Sequence, residues 1–229
     1  MFSLFKLFPD DPRMAMACTI SLVLVLLISF GCHEFAHAHA ALKNGDPTAK
    51  SMGRHTLNPF AHIDPIGFVC CVLFCFGWAK PVPINPINFT NYRKGYIKTS
   101  IAGVIANIIL AFLGCGLLYL YVYISYTAGW IDTMNQYLYY MILYFFSFMF
   151  SINISLFVFN ILPIPPLDGF NVVNACTKAD NKFVRFMQQY GTIILFAVIL
   201  LSDYTLSYLV DWIGFPIRWF WATVFGWIA

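Results

Sequence analysis

The most informative stretch of the sequence is a histidine–glutamate–histidine pattern that follows a long apolar segment. His33, Glu34 and His37 stand in the order HExxH. In an α-helix with about 3.6 residues per turn, the two histidines face the same direction and are spaced to bind one zinc ion. Glu34 lies about 100° around the helix, where it can take a proton from a water molecule at the metal instead of binding the metal. The pattern therefore predicts a hydrolytic zinc site.

The surroundings of this pattern distinguish it from a chance match on a soluble helix. The preceding stretch, 14–31, contains no Asp, Glu, Lys or Arg, and Ala38, Ala40 and Leu42 follow the pattern. Each ionisable group at membrane depth costs on the order of 3 kcal/mol, so three together require a use. If the helix continues to Leu42, His33 lies roughly 14 Å from its end. We therefore expect a zinc site below the membrane surface, which water reaches through a cavity.

A catalytic zinc site needs a third protein ligand, and spacing alone leaves the choice open. His39 points away from His37 on the same helix, whereas His55 and His62 occur in a later loop. Asp168 follows a long uncharged stretch and the proline-rich run ILPIPP, which ends a helix and holds an extended segment. Asp168 can be a metal ligand or the cap of a following helix, and its position favours neither.

The elements that must hold these residues are membrane helices. The chain has 229 residues, of which 60% are hydrophobic and 10% are charged, against about 25% charged residues in soluble domains. About 20 apolar residues cross the hydrocarbon layer. Uncharged stretches of suitable or nearly suitable length occur at 14–31, 99–126, 134–167 and 186–202, and a weaker one at 204–229. We predict an all-α polytopic membrane protein with four to five transmembrane helices.

The segment 65–79 is uncharged but too short to cross comfortably as a helix. The loops on both sides of it are basic: they contain Lys43, Lys50 and Arg54 before it, and Lys80, Arg93, Lys94 and Lys98 after it. Basic loops favour the cytoplasmic side, so both ends of the segment are expected there. We therefore predict a short membrane-associated re-entrant β-hairpin region in preference to a full crossing, with a strand near 51–57.

No repeat, long linker or change in composition divides the chain. We predict one membrane-embedded metalloprotease domain over 1–229, with a catalytic core at about 14–170 and C-terminal helices at 183–229. The distribution of Lys and Arg predicts a multi-pass protein of the plasma membrane whose active site lies towards the cytoplasmic side. The net charge of +3 comes without a basic run or a stacking motif, so nucleic acid is not an expected partner.

In combination, these motifs resemble those of the site-2 protease family of intramembrane zinc metalloproteases, in the compact form without a PDZ or CBS domain. The resemblance covers roughly residues 30–170, with HEFAH followed by NPFAHIDPIG at 58–67, GWAKPVPINP at 77–86 and ILPIPPLDG at 161–169. It implies that His33, His37 and Asp168 bind one Zn²⁺ per chain and that Glu34 is the catalytic base.

Two asparagines are further candidate catalytic residues. Asn107 lies on an otherwise apolar helix, where the family pattern is Gly-Pro-x-x-Asn and Val104 replaces the proline. An interhelical hydrogen bond and a contact with the oxyanion or the substrate strand are equally open for it. Asn160 resembles the family asparagine before the proline-rich run. We expect it to bind the substrate backbone or to stabilise the oxyanion.

The predicted function is hydrolysis of peptide bonds within or near transmembrane segments of membrane-protein substrates in the lipid bilayer. The substrate helix must unwind locally, and an extended edge near 50–60 is expected to receive it by strand addition. A membrane metal transporter would distribute polar ligands across the bilayer, whereas here they gather towards one side. Another metal-dependent membrane enzyme of the di-iron type would need more histidines than the five present. The sequence does not indicate the substrate or the oligomeric state.

Overall fold

Apolar helices make up most of the computed structural model, which describes residues 11–74, 77–178, 180–201 and 205–226. The helices are α1 (Pro12–Lys43), α2 (Pro65–Phe74), α3 (Tyr92–Thr127), α4 (Gln136–Ile161), α5 (Asp168–Cys176), α6 (Lys182–Leu201) and α7 (Thr205–Val224). Single helical turns occur at Thr48–Ser51 and Trp130–Thr133, and 3-10 turns at Pro59–Ala61 and Pro86–Asn88.

Three helices, α1, α3 and α4, are long and apolar enough to cross a membrane. A helical fold with several candidate spans is therefore confirmed. The described residues of α6 and α7 do not meet the same requirement, so the fourth and fifth spans stay predictions. Parts of those predicted spans, at 202–204 and 227–229, lie outside the described residues.

Helix α1 begins earlier than the sequence pattern suggested, because a proline is accommodated in its first turn. Pro12 is the first helical residue, a position where its missing N–H costs nothing. The side chain of Asp11 accepts a hydrogen bond of 2.9 Å from the backbone N–H of Arg13 and so caps the helix. The helix thus begins two residues before the uncharged stretch 14–31.

The core lies where α1, α3 and α4 pack against one another. One apolar cluster joins α3 to α4 and extends to α7, and a second joins α1 to α4 and α2. Polar contacts link α1 to α4 inside this core: Asn153 donates to Ser29 Oγ at 2.9 Å, and Ser21 donates to the Met141 carbonyl at 2.7 Å. Such hydrogen bonds stabilise helix packing in a membrane, where the hydrophobic effect does not drive helices together. The packing thus fixes α1, which carries the HExxH pattern, between two long helices.

The predicted β-hairpin is not formed by the described residues. The region 51–57 consists of the end of a helical turn followed by turns and bends, and 65–74 is helix α2. Asp64 explains the helix, because its side chain accepts a hydrogen bond of 2.8 Å from the N–H of Gly67, three residues on. The only extended pairing in the described chain is a single antiparallel bridge between Ile63 and Ala79. The predicted strand, and with it the edge near 50–60 for strand addition, was wrong.

The proline-rich run connects α4 to α5 with a sharp change of direction. Helix α4 ends at Ile161, and α5 begins at Asp168. A Cβ on Gly169 would lie 2.3 Å from the Ile161 carbonyl oxygen, so only glycine allows α5 to start this close to the end of α4. Helix α5 packs against α3 as well as α4. Asp168 is thereby brought to the same side of the bundle as the α1 histidines.

Candidate metal centre

Three side chains from two distant parts of the chain converge on one point. The Nε2 atoms of His33 and His37 lie 3.0 Å apart. Asp168 Oδ2 lies 3.3 Å from His33 Nε2 and 3.2 Å from His37 Nε2. Both histidines are buried, and the Asp168 side chain is nearly so. In the described part of the chain this is the only group of three or more His, Cys, Asp or Glu side chains that could hold a metal ion.

The arrangement fits a tetrahedral zinc ion. Zinc bonds of about 2.0 to 2.1 Å hold neighbouring ligand atoms about 3.3 Å apart, and the three separations here are 3.0, 3.2 and 3.3 Å. Asp168 Oδ2 is buried and has no hydrogen-bond partner of suitable geometry. A buried carboxylate oxygen without a donor is costly unless a cation binds it. Two imidazoles and a carboxylate are also a ligand set that zinc accepts.

The outer nitrogens of both histidines are held by α3. His37 Nδ1 donates a hydrogen bond of 2.7 Å to the Thr99 carbonyl, which leaves the Nε2 lone pair facing the cluster. His33 Nδ1 lies 3.1 Å from the side-chain amide of the fully buried Asn107, whose Oδ1 otherwise has no partner. The two ends of an amide interchange by rotation. If the Asn107 amide is turned so that Oδ1 faces His33, the Nδ1–H of His33 donates to that oxygen. The Nε2 lone pair of His33 then also faces the cluster.

Gly103 allows α3 to approach the two imidazoles. A Cβ at this position would lie 2.4 Å from His37 Nε2 and 2.6 Å from His33 Cε1. Gly103 stands one helical turn before Asn107, so both residues lie on the face of α3 that contacts α1. The backbone of α3 therefore forms one wall of the cluster.

Glu34 lies beside the histidines on α1 and is held by the loop that precedes α3. Its Oε2 accepts a hydrogen bond of 2.8 Å from the backbone N–H of Val82, and its side chain is buried. Since Pro81 and Pro83 have no N–H, Val82 provides the sole backbone donor of this tripeptide. The bond leaves the second carboxylate oxygen of Glu34 available for another partner.

The loop that carries Val82 is anchored on both sides. The Lys80 N–H donates to the His62 carbonyl at 2.8 Å, and the Arg54 guanidinium donates to the Lys80 carbonyl at 2.7 Å. On the other side, the Asn85 N–H donates to Asp46 Oδ2 at 2.7 Å. These bonds fix the backbone around Val82 and with it the position of the Glu34 carboxylate.

Asp46 is the most extensively bonded carboxylate of this loop and is fully buried. Besides the Asn85 N–H, it accepts hydrogen bonds from the backbone and hydroxyl of Thr48 and from the amide of Asn88. Burial alone would raise the pKa of the Asp46 carboxyl group. Together, these hydrogen bonds lower it by more than burial raises it, so the pKa lies below its ordinary value of 3.8. The hydrogen bonds of the loop therefore stabilise the ionised form of Asp46.

The other histidines considered as a third ligand are engaged elsewhere. His39 and His55 pair with each other, with 3.2 Å between Nδ1 and Nε2. His62 is fully buried, and its Nε2 lies 2.8 Å from the Thr56 carbonyl. Asp168 does not cap α5, whose first residue it is. Its side chain instead faces the two α1 histidines.

The two candidate asparagines differ in their placement. Asn107 contacts His33 directly, as described above. The Asn160 amide donates to the Leu156 carbonyl of its own helix at 3.0 Å. The predicted contact of Asn160 with substrate is untested by this geometry and stays a prediction.

Thr99, Gly103 and Val82 contribute to the site and were not assigned roles from the sequence. Thr99 and Val82 act through backbone atoms, which carry no residue-specific signal. Gly103 had a readable signal, because a glycine one turn before a buried asparagine marks a close helix contact.

Comparison with known proteins identifies related sequences. The profile described as "Peptidase family M50" matches residues 21–202. The Bacillus subtilis protein described as "Putative zinc metalloprotease YwhC" is 44% identical over 154 residues, which is 66% of this chain and 67% of that protein. The Mycolicibacterium smegmatis protein described as "Putative zinc metalloprotease Rip2" is 26% identical over 181 residues, which is 76% of this chain and 64% of that protein. No solved structure gives a significant match.

The matched segment contains all of the converging side chains and extends over most of the chain. With a relative of 44% identity in addition, the chain belongs to peptidase family M50, the site-2 protease family of membrane metallopeptidases.

Proposed function

We propose that this chain is an intramembrane zinc metalloprotease that cleaves peptide bonds within or beside transmembrane segments of other membrane proteins. One zinc ion is held by His33, His37 and Asp168. The observation that carries the proposal is the convergence of these three ligand atoms at 3.0 to 3.3 Å, with Glu34 next to them on the same helix.

In this reaction Glu34 is the general base. When bound, zinc supplies a Lewis acid that polarises the scissile carbonyl and lowers the pKa of the attacking water. Glu34 takes the proton from that water with the oxygen that Val82 leaves free, and then gives it to the leaving amine. The Val82 N–H holds the other oxygen and so fixes the direction of the carboxylate.

The remaining residues position the ligands or contact the substrate. Thr99 and Asn107 orient His37 and His33 from α3, so we assign Asn107 as a positioning residue. Asn160 stands at the end of α4, just before the turn that leads to Asp168. We keep it as a candidate contact for the substrate backbone or the oxyanion.

We also propose that residues 64–78 enter and leave the membrane on one side. Ile63 pairs with Ala79, and the Lys80 N–H bonds to the His62 carbonyl, so the segment returns to its starting point. Helix α2 is about 15 Å long, half the thickness of the hydrocarbon layer. The basic residues on both flanks support the cytoplasmic side of a plasma membrane. The described part of this segment is helix α2, so we propose a helical re-entrant segment in place of the β-hairpin.

The chain is proposed to act as a single membrane domain with its catalytic core at about 14–170, since all residues of the metal centre come from α1, α3, α5 and the loop before α3. The substrates are transmembrane proteins whose helix unwinds at the cleavage point, because a helical carbonyl is already hydrogen-bonded. A metal transporter is not favoured, because the ligand side chains form one closed cluster and not a path across the bilayer.

The test compares the wild-type chain with Glu34→Gln after reconstitution in lipid vesicles with single-span substrate candidates. These candidates are found as proteins that accumulate in membranes of cells carrying Glu34→Gln. The expected result is cleavage by the wild type only, with the same zinc content in both proteins. Retained cleavage by purified Glu34→Gln would refute the role of Glu34.

A further inference from the structure

A cavity lies between α1 and α3 and is separate from the metal centre. It has a volume of about 770 Å³, and neither the three candidate ligands nor Glu34 line it. Its lining is mostly apolar and includes Ala36 and Ala40 from α1 and Ala102 and Ala106 from α3. His39 also lines it, with its imidazole paired to that of His55. It forms an open groove on the side of the bundle, bordered by the exposed Ile105 and Ile109.

The groove has the length of one membrane leaflet. Its lining residues extend from Cys32 to Lys43 on α1 and from Lys98 to Leu110 on α3. At 1.5 Å per residue, this is about 17 Å. One leaflet contributes about 15 Å to the hydrocarbon layer. The groove is therefore long enough to hold one acyl chain from the interface to near the bilayer midplane.

Charge is confined to one end of the groove. Lys43 and Lys98 line it at the end where α1 finishes and α3 begins, together with Asn44. No Asp or Glu among the described residues lines the groove. Basic residues between transmembrane helices at the interface favour anionic lipid headgroups. The two lysines and the apolar floor thus match the two ends of one amphiphilic molecule.

We propose that this groove binds one anionic phospholipid, with its phosphate at Lys43 and Lys98 and one acyl chain along the alanine-lined floor. A substrate helix is a poorer fit, because its apolar surface offers no anionic group to Lys43 and Lys98. The bound lipid fills the space between α1 and α3. It thereby supports the helix that carries both histidines and the helix that holds their outer nitrogens.

Native mass spectrometry of the purified full chain tests this proposal without depending on proteolysis. Phosphatidylglycerol and phosphatidylcholine with identical acyl chains are each titrated onto the detergent-solubilised protein. Since a lysine near the interface contributes about fivefold to the binding of an anionic lipid, we expect one phosphatidylglycerol to bind about 25-fold more tightly than phosphatidylcholine. The double variant Lys43→Gln/Lys98→Gln is expected to lose this preference.

Two further variants separate the site from general surface charge and from loss of folding. Lys50→Gln/Lys94→Gln makes the same change in net charge at positions that do not line the groove, and the preference is expected to stay. Ala106→Phe fills the floor and is expected to weaken binding of both lipids alike. Equal binding of the two lipids by the wild type would overturn the proposal, as would an unchanged preference in Lys43→Gln/Lys98→Gln. Capture of a transmembrane substrate peptide by a photocrosslinker at Ile109, in the presence of excess phosphatidylglycerol, would assign the groove to substrate instead.

Discussion

Replacing Gly103 by alanine is a sharp test of how α3 holds the two histidines. The added Cβ would lie 2.4 Å from His37 Nε2, whereas ordinary contacts begin at 3.4 Å, so the ring or the helix has to move by about 1 Å. In a helix with free space, the same substitution stabilises by about 1 kcal/mol, because alanine is the better helix former. The local contact and the helix propensity therefore predict opposite outcomes.

The expected magnitude follows from the displacement of the ligands. Disturbing the groups that orient metal ligands typically reduces metal affinity about 10- to 100-fold, or about 1.4 to 2.7 kcal/mol. A displacement of about 1 Å at a reacting centre costs about 100-fold in rate. We expect Gly103→Ala to show both losses, measured as zinc affinity by competition with a chelator and as cleavage of a reconstituted substrate.

Gly31 provides a matched control on α1. A Cβ there would lie 3.4 Å from Pro59 Cα and 3.5 Å from the Leu57 carbonyl oxygen, which are ordinary contacts. Gly31→Ala is therefore expected to keep zinc affinity and cleavage. If Gly103→Ala bound zinc as tightly as Gly31→Ala, the close packing of α3 against the imidazoles would be refuted.

Three other substitutions test the supporting contacts. Asn107→Leu removes the partner of His33 Nδ1 and is expected to lower zinc affinity about 10- to 100-fold; unchanged affinity by chelator competition would refute the positioning role. Val82→Pro removes the N–H that holds Glu34, so cleavage is expected to fall about tenfold with zinc content unchanged, whereas Val82→Ala keeps the donor and the activity. Asp46→Asn is expected to lower the Tm at neutral pH. The folded-state pKa of Asp46 lies below 3.8, the ordinary value that applies to the unfolded chain. The stability contributed by the ionised Asp46 is therefore fully present at pH values above 3.8, and it is lost as the pH falls through the folded-state pKa. The Tm difference between wild type and Asp46→Asn should therefore narrow in acid, and a constant difference from pH 7 to pH 3 would contradict the assignment.

The sequence was most informative where chemistry and periodicity coincide. His33, Glu34 and His37 follow from helical spacing and from the cost of placing ionisable groups among apolar residues. The membrane character of α1, α3 and α4 follows from their length and composition. Asp168 depended on the family resemblance, because a carboxylate after a proline-rich run is equally consistent with a helix cap.

The segment Pro65–Phe74, which is a helix and was predicted as part of a β-hairpin region, shows where sequence reasoning failed. A short apolar run is compatible with a strand or a buried helix, and periodicity does not separate them. The decisive signal was local: Asp64 followed by Pro65 is a favourable helix start, with a capping side chain and a proline in the first turn. The contacts of Val82 with Glu34 and of Thr99 with His37 could not be predicted from the sequence. They join backbone atoms of one segment to side chains of another, and only the packed fold brings them together.

Zinc-edge X-ray absorption on the purified wild-type chain identifies the ligands of the metal directly. We expect one zinc per chain, bound by two imidazoles and by oxygen at about 2.0 to 2.2 Å, without sulfur. A third imidazole would replace Asp168 by a histidine such as His55 or His62. A sulfur ligand at about 2.3 Å would move the metal to a cysteine. Either result would contradict a centre built from His33, His37 and Asp168.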